Sequence, residues 1–557
     1  MSTMYCFLVV LCSYVVVGKE LLGNHDFENG NSISPWTCAD CQATLTTSNK
    51  YHGQHGVMVN NRHHNWAGLA QSFSAPGGHD YYCSAYIKIL NVASGKSYAS
   101  VDFLVQYNNG KDHYVPIGRN GYLMADGTFS EIGGDFHLPN GVNQARMYIQ
   151  ITDPSVNYVL DYATCQQIVH HPNWKTNANH RIENLRKGTL TINLTGTHDT
   201  TGLTVQVVQK KSQFALGTAF NSRHVTDSNH AAYQKFLFDN FEWGVPENAM
   251  KWKQMEWTKG HINYNTAMDA VKKLKSKGFK VRGHNMFWDD SRRVPEWLKG
   301  LSQNDALQLM HKRVNDMLSH SMGTLEHWDV NNENLHSHPY EDLVHNPKVS
   351  EDMFKWMHAV EPNVKLFLNE YNVITYHQTT TALKTLGKHY KAKGVPIYGL
   401  GAQGHFGNSH INMDVLKYRL DKLAESGLPI WITELTIKET DATKKALALD
   451  NLMTMFFSHP HVEGVLLWGF WDGAIYDKDL ALATGSSVTP NAAGQKWIEL
   501  FHRRFRTNES HQFNGQTSVN AKAFYGDYQL VFKQHGRIIH TENLSFTHGS
   551  KTVTVHL

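Results

Sequence analysis

Between residues 19 and 166, apolar and polar positions alternate in short runs. LAQSFSA (Leu69–Ala75), YYCSAYIKIL (Tyr81–Leu90) and SYASVDFLVQY (Ser97–Tyr107) have the two-residue period of half-buried strands, and Gly and Asn break them. Their repetition predicts an all-β sandwich over 19–166. The polar, turn-rich HHPNWKTNANHRIENLRKG then reads as a connector. TLTINLTG and LTVQVVQKK read as a strand pair leading onward, so 167–213 is linker and lead-in strands.

From residue 214 the period changes. Eight apolar segments appear, each followed by a helical stretch: FALGTAFN, FEWGVPENAMKW, KVRGHNMFW, LEHWDVNNE, KLFLNEYN, IYGLGAQGHF, IWITEL and GVLLWGFWD. NTAMDAVKKLKSKG and MDVLKYRLDKLAESG have helical periodicity and close on Gly, a common helix stop. Eight such units predict an α/β fold, a (β/α)8 barrel over 214–505. Residues 506–557 turn β again and read as a small appendage.

The first residues add a compartment. YCFLVVLCSYVVV (Tyr5–Val17) is apolar but short for a membrane span, and predicts a secretory signal over 1–18 and a secreted, extracellular protein. Cys38, Cys41, Cys83 and Cys165 remain, and an oxidising compartment favours disulfides among them; four cysteines allow three pairings. Asn193, Asn508 and Asn543 open glycosylation sequons. A net charge of +3 on 557 residues, with no basic block, argues against nucleic acid as a partner. No other run is long and apolar enough for a membrane, and a monomer is expected. The 35 His are scattered, with no H-E-x-x-H, so neither a metal nor a cofactor is expected in the barrel.

In such a barrel, chemistry sits at the carboxyl ends of the strands. Those ends carry Glu247, Asn248 and Lys251; His284 and Trp288; Asn332 and Glu333; Asn369, Glu370 and Tyr371; Gln403 and His405; Glu434; and Trp468, Trp471 and Asp472. There is no cysteine, Ser-His-Asp order or glycine-rich phosphate loop among them. Amides and lysine bind hydroxyl groups, tryptophans stack on pyranose faces, and two carboxylates flanking a sugar can cleave a glycosidic bond. In retaining enzymes the two stand about 5–5.5 Å apart.

GVPENAMKW, VRGHNMFW, WDVNNE, AQGHF and WITEL together resemble the successive motifs of glycoside hydrolase family 10, the endo-β-1,4-xylanases, and QFALGTAFN with FYGDYQLVF is similar to its animal and plant branch. The resemblance covers residues 180–557 and implies a β-1,4-linked polysaccharide, xylan, as the partner. It implies Glu333 as acid/base and Glu434 as nucleophile. Asn332 would hold the sugar 2-hydroxyl; Glu247, Asn248 and Lys251 would hold the units on the non-reducing side. His284, Trp288, Gln403, His405 and Trp468 would wall the central subsite, and Tyr371 the leaving-group side. A β-1,4-glucanase of the same mechanism and a non-catalytic sugar-binding protein are the alternatives.

ELLGNHDFENG…PWT and NWAGLAQSF resemble carbohydrate-binding modules fused in front of such barrels. That resemblance implies Trp66 as the sugar-stacking ring, with Tyr98 and Tyr107 behind it, and a structural calcium near Glu28 and Asp161. Four positions depart from the family pattern: Asp289 for a usual His, Asn331 for a usual apolar residue, Thr436 for a usual Asp, and Tyr476 where a second Trp is common. The third should change the charge around Glu434.

Overall fold

The computed structural model describes residues 18–196 and 199–557. The apolar leader Tyr5–Val17 lies outside them. Eight parallel strands follow one another: β1 (Ala215–Phe220), β2 (Trp243–Pro246), β3 (Lys280–Gly283), β4 (His327–Asn332), β5 (Lys365–Glu370), β6 (Gly399–Ala402), β7 (Ile430–Ile437) and β8 (Val462–Leu467). Each pairs with the next, and β8 returns to β1 from Ala215↔Gly464 to Thr218↔Leu467, closing the (β/α)8 barrel. β4 and β7 are buried at every position, because helices cover one face and the barrel interior the other. Ser302, Asn412, Asp441 and Asn491 cap helix starts by accepting first-turn N–H groups. Gly278 and Gly427, the predicted stops, have φ of +76° and +67°, a region glycine enters without strain.

Two short strands extend the barrel's upper rim. Phe287–Trp288 pairs with Asn331–Asn332, and His405–Phe406 pairs with Thr436–Ile437. They fix Trp288 beside the end of β4 and His405 beside the end of β7.

Residues 37–167 form two five-stranded antiparallel sheets around a core that includes Val57, Tyr81, Phe103, Met147 and Leu160. The cysteine pairing left open by the sequence is Cys38–Cys41 and Cys83–Cys165, the latter joining residues directly opposite on adjacent strands. No helix among the described residues is long and apolar enough to cross a membrane.

The region between sandwich and barrel differs from expectation twice. Trp174–Leu185 is a helix with only Ala178 and Ile182 buried, too little apolar periodicity to read from sequence. Polar contacts hold it on the helix Ala442–Ser458, including Lys175 to Asp450 at 2.5 Å and Arg181 to Ser458 Oγ at 3.0 Å. The two lead-in strands do not pair with each other. Lys187–Thr195 lies between Ser518–Phe524 and Lys551–His556; Leu203–Ser212 lies between Asn508–Gln512 and Gly526–Gln534. The C-terminal strands therefore complete a two-sheet unit begun before the barrel, with Leu190, Val205, Leu530 and Phe532 in its core. Alternation signals a strand but says nothing of a partner on the far side of a domain.

The sandwich docks on the barrel through charged and aromatic groups. Arg419 donates twice to Asp135, at 2.8 and 2.7 Å; Lys384 pairs with Glu131, both nearly fully buried; Tyr82 Oη lies 2.7 Å from Thr381 Oγ1. Along the strand Asp112–Leu123, Tyr122 donates to Pro347 O (2.9 Å) and Arg119 N to Gln378 O (2.9 Å), and the His338 ring lies against Gly121 O. Burial opposes ionisation of Glu131, but Lys422 and Lys384 offset it and hold the pKa at about 2. A depressed carboxyl pKa contributes stability that is present above its unfolded value and lost as pH falls toward about 2. Lys384→Met leaves Glu131 buried with less compensation and should destabilise docking by roughly 3 kcal/mol, read as a lower thermal midpoint; adding Glu131→Gln should recover most of it. A single variant that melts like the parent would show that the ion pair does not hold the interface.

Candidate active site

β4 ends at Asn332, and Glu333 follows with φ +64°, a conformation few non-glycine residues adopt. Its N–H donates to Asn369 O at 2.8 Å, which ties the turn to β5. Gln403 Nε2 donates to Glu333 Oε1 (2.9 Å) and Trp288 Nε1 to Glu333 Oε2 (2.8 Å). Burial, then the charge of Glu370, raises the Glu333 pKa against those two hydrogen bonds; Glu434 adds to the rise.

Glu434 sits inside β7 and is 5% exposed. Asn369 Nδ2 donates to its Oε1 (2.8 Å), and His405 Nε2 lies 3.2 Å from its Oε2. Burial would raise this pKa, but the His405 contact and the nearby His284 and Lys251 more than offset it, so Glu434 is held below the ordinary value. The two carboxyls are thus pushed in opposite directions around one opening.

That opening is a cavity of about 360 Å³ lined by Lys251, His284, Trp288, Asn332, Glu333, Tyr371, Gln403, His405, Glu434 and Trp468, together with Asn372 and Tyr476. The adjoining cavity, about 250 Å³, holds Glu247 and Asn248. The twelve barrel residues given a catalytic or sugar-binding role from sequence therefore line one or the other of these two cavities, while Asn369, Glu370, Trp471 and Asp472, also at strand ends, line neither. Lys251 Nζ donates to Asn248 Oδ1 (2.9 Å) and stands 4.7 Å from the centre of the Trp288 ring. Burial, then the charges of Glu434 and Glu247 working against it, leaves the Lys251 pKa below its usual value. Tyr371 stacks on His336 with ring centres 3.9 Å apart.

Asn369 was legible only as a strand-end residue with no role attached, and Thr433, Asp329 and Arg282 were not singled out by sequence. Asn369 Nδ2 joins Asn332 Oδ1 and Glu434 Oε1, both at 2.8 Å, and Thr433 Oγ1 donates to Asn369 Oδ1 (2.6 Å). Beneath them, buried Asp329 bridges Arg282 and His284, its Oδ2 lying 2.9 Å from His284 Nδ1. Arg and Asp inside a strand pattern were the signal, since a charge in a buried strand needs a partner. The departures also find partners. Thr436 Oγ1 lies 2.9 Å from His405 Nδ1, and Tyr476, 66% exposed, lines the cavity beside them. Asn331 Nδ2 donates to Asp289 Oδ2 at 2.7 Å, away from the groove.

In the sandwich, Trp66 is 48% exposed and stacks on His64. Tyr98 does not face solvent as a sugar platform: it stacks on Tyr122 and donates to Pro347 O across the interface. Tyr107 stacks on His113. Glu28 Oε1 accepts the N–H groups of Gln54 and His55, and Asp161 Oδ2 those of Tyr51 and His52. Amide hydrogens converge where calcium would need oxygen donors, so as they stand these carboxylates fasten the loop 51–55 and do not fit the ion. Among the described residues no group of three or more His, Cys, Asp or Glu could hold a metal.

Residues 19–156 match the family model for a carbohydrate binding domain, and residues 205–529, more than half the chain, match that of glycosyl hydrolase family 10. The anti-sigma-I factor RsgI6 of Acetivibrio thermocellus is 33% identical over 68% of this chain and 49% of its own length. The endo-1,4-beta-xylanases 1 and 3 of Arabidopsis thaliana are 26% and 28% identical, over 90% and 86% of this chain and 52% and 63% of theirs. The chain thus spans about half the length of the first of these curated relatives. A closed eight-stranded barrel, two carboxyl groups of opposed pKa at its upper rim and the match over its full length converge on one assignment: the chain belongs to glycosyl hydrolase family 10.

Proposed function

We propose that this protein is a secreted, monomeric endo-β-1,4-xylanase that cleaves internal bonds of plant xylan with retention of configuration. The observation that carries the reading is the opposed environment of Glu333 and Glu434 around one groove. A carboxyl held protonated suits a general acid, and one held ionised suits a nucleophile. Glu434 attacks the anomeric carbon while Glu333 passes its proton to the leaving oxygen. Glu333, now ionised, then takes a proton from the water that releases the sugar from Glu434. In this reading the Asn332 amide meets the 2-hydroxyl as positive charge develops at the neighbouring carbon, and the Trp468 and Trp288 rings, which line the same cavity, supply stacking surface. The Arabidopsis relatives support xylan as the polymer. The two disulfides support an oxidising compartment, and the exposed Trp66 ring supports a sugar platform on the sandwich.

Glu434→Ala and Glu333→Ala should each lower kcat/KM on xylan by about 1,000-fold or more without changing the fold seen by circular dichroism. Glu333→Ala should lose far less on an aryl xylobioside whose leaving group needs no proton. NMR of the first products should show the retained anomer; inversion, or parental rates in either variant, would end this reading.

Thr436→Asp places a carboxylate on His405 and favours its charged form, which further stabilises ionised Glu434. The acidic limb of the kcat/KM profile should move to lower pH, because Glu434 then stays ionised further down. An unmoved limb would show that position 436 does not tune the nucleophile. Trp66→Ala should release the protein from insoluble xylan in a pull-down; equal retention would place the platform elsewhere.

A further inference from the structure

Asp289 and Glu341 are each at most 2% exposed, and neither has an ion-pair partner among the described residues. One hydrogen-bonded chain connects them. Asn331 Nδ2 donates to Asp289 Oδ2 (2.7 Å) and to Ser350 Oγ (2.5 Å), and Ser350 Oγ donates to Glu341 Oε1 (2.7 Å). Asp289 Oδ1 and Glu341 Oε2 have no partner. Two unpaired buried carboxylates would be prohibitive, whereas a proton on the pair removes the repulsion. The other titratable groups facing them do not supply a cation. Glu370, Asp342 and Glu351 are acidic, Tyr98, Tyr122, Tyr340 and Tyr390 are phenols, and burial keeps His338, against Tyr122, below its usual pKa.

The chain reaches the acid/base through the main chain of Asp289. Its N–H donates to Asn332 O (2.9 Å), its carbonyl accepts from Ser337 Oγ, and the residue before it is Trp288, whose indole holds Glu333. At the outer end the sandwich closes the network: Tyr122 Oη lies 3.4 Å from Glu341 Oε1 and donates to Pro347 O.

We propose that Asp289 and Glu341 act as one protonated acid pair that positions Trp288 against Glu333, latched from outside by Tyr122 of the N-terminal sandwich. Asp289 is then a positioning residue, and the sandwich helps to set the acid/base as well as to bind polymer. The environment agrees: burial and then Glu341 push the Asp289 carboxyl well up, and burial pushes Glu341 up to about 7. Carboxyls raised above their unfolded values bind protons in the folded state, so stability is greatest in mild acid and falls as pH rises toward and past about 7.

The positioning claim rests on Glu333 being the acid/base; the stability claim does not. The experiment uses the full chain. Thermal midpoints between about pH 5 and pH 8 should fall with pH in the parent and be markedly flatter in Asp289→Asn, which keeps the shape and removes the charge. Asp289→Ala should lower kcat/KM on a xylo-oligosaccharide by about 10-fold or more while largely sparing an activated aryl xyloside, and Asp289→Asn should restore most of that loss. Tyr122→Phe should show the same substrate-selective loss, smaller in size. A parental pH slope in Asp289→Asn overturns the protonated acid pair, and a loss equal on both substrates overturns the positioning role. Should Asp289→Ala fail to fold, the Tyr122→Phe substrate comparison decides the latter. If Glu333 were not the acid/base, its own alanine variant would keep its rate on xylan, while the Asp289→Asn slope would still be flat.

Discussion

One side-chain amide holds the reacting groups in register. Asn369, at the end of β5, donates to Glu434 on β7 and to Asn332 on β4, and receives a hydrogen bond from Thr433. Three strands are thereby fixed relative to one another by a group whose two donors and carbonyl are all engaged, inside a site where an unpaired polar group is costly. The neighbouring strand yields to it. A Cβ on Gly401 would stand 2.4 Å from Asn369 Oδ1, so β6 carries glycine at the point where the amide must pass. The opposed behaviour of the two carboxyls follows from this arrangement. Glu434 is pushed below the ordinary carboxyl range because donors surround it; Glu333, half-buried and beside other acids, is pushed above it.

The positions that depart from the family pattern fall into two neighbouring pairs. Thr436 takes the place behind His405 and keeps a hydrogen-bonding oxygen there, without the charge, while Tyr476 lines the cavity beside them. Asn331 and Asp289 meet on the other side of β4. An apolar residue at 331 would leave the Asp289 carboxyl without its donor, and a histidine at 289 would present a different partner to the amide. Each substitution is matched by its neighbour, and Thr436 and Asp289 each stand one residue removed from a reacting carboxyl, behind His405 and beside Trp288.

Residue patterns made the architecture and the groove legible. Eight apolar segments with polar ends are a one-dimensional signal, because closure of the barrel brings every carboxyl end to one rim whatever the loops do. Glu333, Glu434, Lys251 and His405 could be named on that ground together with the family motifs. What was not legible is long-range. The partners of Lys187–Thr195 lie beyond the barrel in sequence, the helix Trp174–Leu185 is held by polar contacts instead of an apolar stripe, and the Asn331–Ser350–Glu341 chain needs three separate elements to meet. Tyr98 looked like a ring for sugar because alternation cannot tell a surface that faces solvent from one that faces another domain.

That last ambiguity resolves into a division of faces. The sandwich commits the sheet carrying Glu131 and Asp135, and the edge strand carrying Tyr122, to the barrel. Trp66 is left exposed and away from those contacts. A module joined by a loose tether would only raise the local concentration of polymer. One fastened by buried ion pairs and by hydrogen bonds to the loop after β4 also restricts that loop, and the loop carries Leu335, Ser337 and His338 directly after the acid/base. The same docking that orients the sandwich therefore bears on the residue that must deliver a proton.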